Sequence, residues 1–411
     1  MATIRPFKAV RPSRDKVALV SSKSFEAYAK EELEAKLDFN PFTFLHVINP
    51  GYKFQQEVSG EQRFKLVHNR YLEFKENKIF VEDEKPSFYV YECSTDKNTY
   101  CGIIAGASAA DYEANIIKKH EGTIAKRVAL FENYLNIAGF NAEPVLITYK
   151  DDEELQGIIE NKKTERAEYE FSTTDKLLHR LWIVDDEATI SKIQEIFASK
   201  EALYIADGHH RTASSALLAK NLSRNKSDNS PEAAHKFFMS YFIPESHLNI
   251  DAFNRFVTDL NGLTTEEFLM RLDTCFRIEK RGQLFYKPSK KHHFGMYLDG
   301  EFYSLYLRKK QYKFSDQLSK LDSEILYRTV LNPILGIEDL THNDRIGYTH
   351  NTLDNLSIKT LVDKGRYKIG FSLVPATVKQ LKAIADANLQ MPPKTTYIRP
   401  KLRSGLTMYE F

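Results

Sequence analysis

The chain has 411 residues, 42% apolar, 28% charged and 12% aromatic, with 14 prolines. That length suffices for a sizeable core and two domains, and the apolar content excludes a chain dominated by disorder. Lys and Arg number 58 against 56 Asp and Glu, so the formal charge of +2 supplies no global field toward nucleic acid or an anionic membrane.

The three cysteines, Cys93, Cys101 and Cys275, are odd in number and lack CxxC spacing. This argues against a disulfide framework or a thiolate zinc site and fits a reducing, cytoplasmic setting. No apolar run reaches the roughly 18 residues of a membrane span, and MATIRPFKAVRPSRDKVALV holds no apolar signal core. Neither a signal peptide nor a spanning helix is expected.

In chain order, the region to about Glu84 combines a charged amphipathic helix, FEAYAKEELEAKL, with extended pieces such as FTFLHVINP. From Ser87 to Ala107, SFYVYEC, STDKNT and YCGIIAGA read as a β-hairpin with a turn longer than two residues. In IAKRVALFENYLNIAG, Ile124, Val128, Phe131 and Leu135 recur at helical spacing, with Thr123 placed to cap the helix and Gly139 to stop it. PVLITY, RLWIV and ALYIA read as buried strands, the last two separated by the helix-like ATISKIQEIFASK. The alternation predicts an α+β fold whose layered, mixed-sheet core spans about residues 87–250 within a first domain, 1–250.

A polar loop, NLSRNKSDNSPEAAH, follows Lys220, and HKFFMSYFIP restores a strand. A second α+β region is expected over 251–411: a helix at TTEEFLMRL, a hairpin in HHFGMYLDGEFYSLYL turning at Asp299-Gly300, and a helix near LSKLDSEILYRTVL. THNDRIGYTH reads as a loop, His292-His293 as surface, and MPPKTTYIRPKLRSGLTMYEF as proline-stiffened chain whose tail can return to the active site.

Chemistry concentrates in YIADGHHRTASS. Asp207, Gly208, His209, His210 and Arg211 lie between a buried strand and a helix. The turn admits four readings: a metal site, a phosphate cradle, a nucleic-acid contact, or a crowded polar turn. A helix N-terminus leaves N–H groups unpaired and carries partial positive charge, so it suits an anion. Arg211 adds a guanidinium fork, the histidines add donors, and Gly208 lets backbone approach the ligand. Adjacent histidines diverge, which disfavours one metal ion held by both. Asp207 would repel a neighbouring phosphate unless it manages Mg²⁺ or a proton.

A second helix start, IIKKHEGT, sets Lys118, Lys119, His120 and Glu121 before a helix. Glu121 can act as a general base beside cations, or the cluster can be an ordinary charged surface. Arg345 and Tyr348 in THNDRIGYTH, and Lys394, Thr395, Lys401 and Arg403 in MPPKTTYIRPKLRSG, can close over a phosphate or form a solvated edge.

IIKKHEGT and LYIADGHHR together resemble the two signature motifs, KPHE-like and VDGHHR-like, of free serine kinases built on the ParB/sulfiredoxin-type fold. IRPFKAVRP, SFYVYE, TVLNPILGIEDLTHNDRIGYTH and MPPKTTYIRPKL resemble, over nearly the whole chain, a bacterial family long catalogued as a domain of unknown function. Its characterised members are pyrophosphate-dependent serine kinases. Lys119 stands where those motifs often carry proline, and ALVSSKSFEAYA lacks their PPYD-like segment.

The resemblance implies a phosphotransferase moving a phosphoryl group between pyrophosphate and free serine, or in reverse from phosphoserine to phosphate. It implies Glu121 as the base and Asp207 as a second acid that places Mg²⁺ or orients the nucleophile. His209, His210, Arg211 and Gly208 would bind donor phosphates, joined by Lys394, Thr395 and Lys401. Lys119, His120, Arg345 and Tyr348 would hold substrate. Neither GxxxxGK[ST] nor GxGxxG occurs, consistent with a donor lacking a nucleoside. An ADP- or ATP-dependent serine kinase, a ParB-like DNA-binding regulator and a metal-dependent phosphohydrolase using Asp207, His209 and His210 are the alternatives. Neither a nucleic-acid nor a membrane partner is expected.

Overall fold

The computed structural model of the protein describes residues 1–225, 230–350 and 357–411. Two compact units form: unit 1 is Met1–Leu248 with Pro400–Phe411, and unit 2 is Asn249–Arg399.

Unit 1 is built on a nine-stranded mixed sheet. Its strands are β1 (Ile4–Arg5), β2 (Phe88–Ser94), β3 (Thr99–Ser108), β4 (Ile117–Lys118), β5 (Val145–Tyr149), β6 (Tyr169–Ser172), β7 (Leu178–Val184), β8 (Leu203–Asp207) and β9 (Phe237–Pro244). They run in the order β4-β8-β5-β9-β3-β2-β7-β6, with β1 paired to β3. The central strands are buried along their length because both faces are covered, which is why they read as unbroken apolar runs rather than alternating ones. Val90, Ile103, Ile147, Trp182, Ile205 and Phe242 share one core cluster.

Pairing here decides where the chemistry falls. Strand β8 runs parallel to β4, with Tyr204 opposite Lys118, and antiparallel to β5, where the register shifts between Ile205 and Asp207. Parallel neighbours end at the same edge, so the segments leaving β4 and β8, His120-Glu121 and Asp207-Gly208-His209, emerge side by side.

Helix α1 (Gly60–Glu76) went unread in the sequence. It buries Phe64, Val67, Tyr71 and Phe74, a three- and four-residue spacing that forms one apolar stripe. Val67, Tyr71 and Phe74 pack in a second core with Phe44, Phe80, Phe140 and Met408, and Phe64 meets the Tyr134 ring edge on. FTFLHVINP is not extended: Leu45–Ile48 is a helical turn within it. Helix α2 (Ala125–Ala138) ends at Gly139 in the left-handed conformation, and its N-cap position is Ile124 rather than Thr123. Helices α3 (Glu153–Lys163) and α4 (Glu187–Ala198) open on capping aspartates, Asp152 and Asp186. Helix α5 (His209–Asn225) runs into the segment expected to loop after Lys220; residues 226–229 of that segment lie outside the described residues, and 230–233 are turn leading into a short 3-10 helix at Ala234–Lys236.

Pro400–Phe411 completes unit 1. Val10 and Met408 exchange backbone hydrogen bonds, as do Ser22 and Ser404, while Tyr409–Glu410 pairs with Phe140–Asn141.

Unit 2 centres on a six-stranded antiparallel sheet of β10 (Phe253–Val257), β11 (Phe276–Gly282), β12 (His293–Leu298), β13 (Glu301–Leu307), β14 (Ile346–His350) and β15 (Ile369–Ser372). The order is β11-β13-β12-β15-β10-β14. The β12–β13 hairpin turns at Asp299-Gly300, both at positive φ (48° and 81°), as a two-residue primed turn demands. THNDRIGYTH is not a loop throughout, since its second half is β14. His292 and His293 are half-buried rather than surface groups. No helix among the described residues is long and apolar enough to cross a membrane.

Candidate active site

Gly208 sets the geometry at the end of β8. Its φ of +102° turns the chain from strand into α5, and a Cβ there would lie 2.9 Å from Nε and Nη2 of Arg211. The Arg211 side chain folds back over the glycine and is gripped by two acids. Nη2 lies 3.0 Å from Asp207 Oδ2, and Nη1 pairs with Glu143. Lys401 Nζ approaches the other Asp207 oxygen at 2.9 Å. Two acids and two bases therefore form one partly exposed cluster around the start of α5. Burial pulls the Arg211 guanidinium down to about 10, so it stays charged at neutral pH.

The second group lies at the parallel β4 edge. The His120 backbone N–H donates to His209 Nε2 at 3.4 Å, joining positions 89 residues apart. Nε2 is thereby the acceptor nitrogen, which leaves Nδ1–H directed at Glu121 Oε2, 3.5 Å away. His120 Nε2 is 3.9 Å from Glu121 Oε1, and neither His120 ring nitrogen has a hydrogen-bond partner. The two imidazoles meet edge to face at 4.5 Å. Burial holds both neutral, His209 down to about 4 and His120 down to about 3. Glu121 is the exposed member of the trio, at 39% of its side chain.

The structure thus brings together Glu121, His120, His209, Asp207, Gly208, Arg211 and Lys401. His209 is buried against Glu121 instead of facing outward from the helix start. His210 is half-buried; burial lowers it, and the charges acting on it belong to Arg127, Glu121 and Glu26. Lys119 lies over the Tyr112 ring at 5.1 Å. Arg403 is buried and bonded to Ser21. Arg345, Tyr348, Lys394 and Thr395 belong to unit 2. There Arg345 forks onto Asp259, and Tyr348 donates to the Leu340 carbonyl at 2.8 Å.

Two acids went unnoticed in the sequence. Glu143, just before β5, carries no pattern that marks it. Glu26, in the segment without the PPYD-like motif, pairs with Arg127 at 2.9 Å and acts electrostatically on Arg211 and His210.

His120, Glu121 and His209 form the one group among the described residues whose ligand atoms, all within 4.8 Å, could hold a metal ion. The His120 N–H on His209 Nε2 opposes that use, because it leaves Nδ1 protonated. Asp207 fits Mg²⁺ poorly in this arrangement, since each of its oxygens already faces a cation.

A family model described as "Protein of unknown function (DUF1015)" matches residues 4–324. No curated protein matches the chain. Among solved structures, a free serine kinase mutant in complex with AMP aligns at TM-score 0.36 and 12% identity, covering 71% of this chain and 88% of that one. SbnI with a C-terminal truncation, from Staphylococcus aureus, aligns at 0.38 and 11%, covering 72% and 82%. A conserved hypothetical protein from Pyrococcus furiosus aligns at 0.34 and 13%, covering 71% and 93%.

Proposed function

The chain belongs to the family described as a protein of unknown function (DUF1015), and we propose that it is a phosphotransferase moving a phosphoryl group between pyrophosphate and the hydroxyl of free serine, on a ParB/sulfiredoxin-like core. One observation carries this reading. An exposed carboxylate, Glu121, stands against His209 at the first turn of α5, where the helix N-terminus lies beside Arg211 and Lys401, two cations held in reserve on Asp207 and Glu143.

In the forward direction Glu121 accepts the serine hydroxyl proton as that oxygen attacks the terminal phosphorus. The new O–P bond forms while the bridging P–O bond breaks, and orthophosphate leaves. Phosphoryl transfer asks mainly for positioning and charge neutralisation, which these residues supply. His209 orients Glu121 through Nδ1–H. Arg211 and Lys401 exchange their carboxylate partners for donor oxygens, and His210 adds a donor at the helix start. Mg²⁺ bound with the pyrophosphate would supply neutralisation of phosphate charge, and Asp207, whose two oxygens face Arg211 and Lys401, would not be its ligand in this arrangement. Asp207 returns Arg211 and Lys401 to their resting positions after phosphate departs.

The test is direct. Purified protein is mixed with serine, Mg²⁺ and pyrophosphate, ADP or ATP, and O-phosphoserine is measured; product from pyrophosphate alone is expected. The mirror assay, phosphoserine with phosphate, reports the reverse direction. Product from ADP or ATP only would replace the donor, and no product with any donor would overturn the reading. A second reading, metal-dependent phosphohydrolysis, rests on the His120–Glu121–His209 group. Stoichiometric transition metal in the purified protein would favour it.

A further inference from the structure

Phe39 closes the helix Lys30–Phe39 with its ring in solvent, at 86% exposure the most exposed aromatic side chain among the described residues. The helix turns one apolar side inward, where Leu37 is buried. A second stripe, Glu32, Ala35, Lys36 and Phe39, runs along another face at the three- and four-residue spacing of helix neighbours. Between that stripe and Leu19 and Phe42 lies an open groove of about 490 Å³, with room for an aromatic ring. Asn40 donates to the Leu19 carbonyl at 2.7 Å, which ties the far wall to the end of the helix. An exposed apolar surface rimmed by charge marks an interaction site.

The rim decides what covers it, because it carries one charge of each sign. Glu32 turns to Lys23, at 3.2 Å, while Lys36 has no carboxylate partner among the described residues. A basic peptide would meet Lys36, and an acidic one Glu32. An anionic lipid surface would meet four acids on the helix, Glu31, Glu32, Glu34 and Asp38, against Lys30 and Lys36. A copy of the same surface, turned about a two-fold axis, meets it sign for sign. The apolar part is matched in the same way, since the protruding Phe39 is itself a wall of the hollow that would receive its counterpart. A patch that is its own complement closes as a dimer.

We propose that two copies of the chain pair through helix Lys30–Phe39, antiparallel, each Phe39 seated in the groove of the other copy against Leu19, Ala35 and Phe42. Each Glu32 then lies beside Lys36 of the partner subunit, which gives that lysine the carboxylate it lacks in a single chain. The interface lies in unit 1 and does not rest on the phosphotransferase reading.

Analytical ultracentrifugation of the full chain tests this. The parent shows a monomer–dimer equilibrium with a Kd on the order of 10 μM, as suits a patch smaller than a standard interface. Phe39→Ser, at an exposed position, keeps the parent's circular dichroism and raises that Kd roughly tenfold or more. Glu32→Lys and Lys36→Glu each weaken self-association, because like charges then face each other. An equimolar mixture of these two variants associates about as tightly as the parent, because each copy supplies the sign the other lacks. A parent still monomeric roughly tenfold above that Kd, a dimer unchanged in Phe39→Ser, or a mixture no tighter than its components overturns the proposal. A monomeric parent that floats with phosphatidylcholine–phosphatidylglycerol vesicles, and loses them in Phe39→Ser, also overturns it and assigns the groove to lipid.

Discussion

Lys401 places its Nζ 2.9 Å from Asp207 Oδ1, across 194 residues of sequence. A carboxylate that would repel a phosphate is thereby turned into a clamp on two cations, Lys401 and Arg211, which hold one oxygen each. Lys401→Met should leave the fold intact and raise KM for the phosphoryl donor roughly ten- to a hundredfold, with a smaller change in kcat. Steady-state kinetics with varied pyrophosphate check this; an unchanged donor KM would remove Lys401 from the site.

Glu121→Gln keeps the shape of the side chain but cannot take a proton. Turnover should fall by roughly 10²–10⁴ while the far-ultraviolet circular dichroism stays as in the parent. Near-parental turnover would exclude Glu121 as the base.

Gly208 combines a φ of +102° with the Arg211 guanidinium across its open face. Gly208→Ala should cost about 1 kcal/mol or more of stability and displace Arg211, weakening donor binding as well. Urea unfolding and donor KM, measured on the same preparation, test both effects. A variant as stable and as active as the parent would show that neither constraint matters.

The buried pair His120 and His209 makes unit 1 sensitive to acid. Their folded-state values, about 3 and about 4, lie below the unfolded value near 6.5, so the unfolded chain binds more protons between these limits. Stability should be fully present above about pH 6.5 and fall toward pH 4, by on the order of a few kcal/mol. Trp182, the single tryptophan, is buried in the unit 1 sheet and reports that unfolding by fluorescence. His120→Gln should flatten the pH dependence; an equally steep profile would assign the loss to other groups.

Much of unit 1 was legible because buried strands such as Val145–Tyr149 and Leu203–Asp207 are unbroken apolar runs, bounded by glycine, proline or charge. The Asp299-Gly300 turn was legible for the same local reason. Helix Gly60–Glu76 was not, because its charged residues outnumber the four aromatic and aliphatic groups it buries. The association of Glu121 with His209 depends on parallel pairing of β4 and β8, a contact between distant segments that no local pattern encodes. Glu143 escaped notice for a related reason: only the fold brings it to Arg211. His209 looked like an outward-facing donor from its place at a helix start, yet after the register shift between Ile205 and Asp207 and the turn at Gly208 its side chain is buried beside His120 and Glu121.

Pro400–Phe411 belongs to unit 1, although the 151 residues of unit 2 separate it from Leu248. A ribosome that has finished Leu248 has therefore made neither Lys401 nor the buried Met408 and Tyr409. The nascent unit must wait with an uncovered apolar seam beside Val10 and Phe140, and it acquires Lys401 only after unit 2 has been translated. Premature termination anywhere within unit 2 would yield a polypeptide that carries Glu121 and Arg211 yet lacks the residue that shares Asp207 with Arg211.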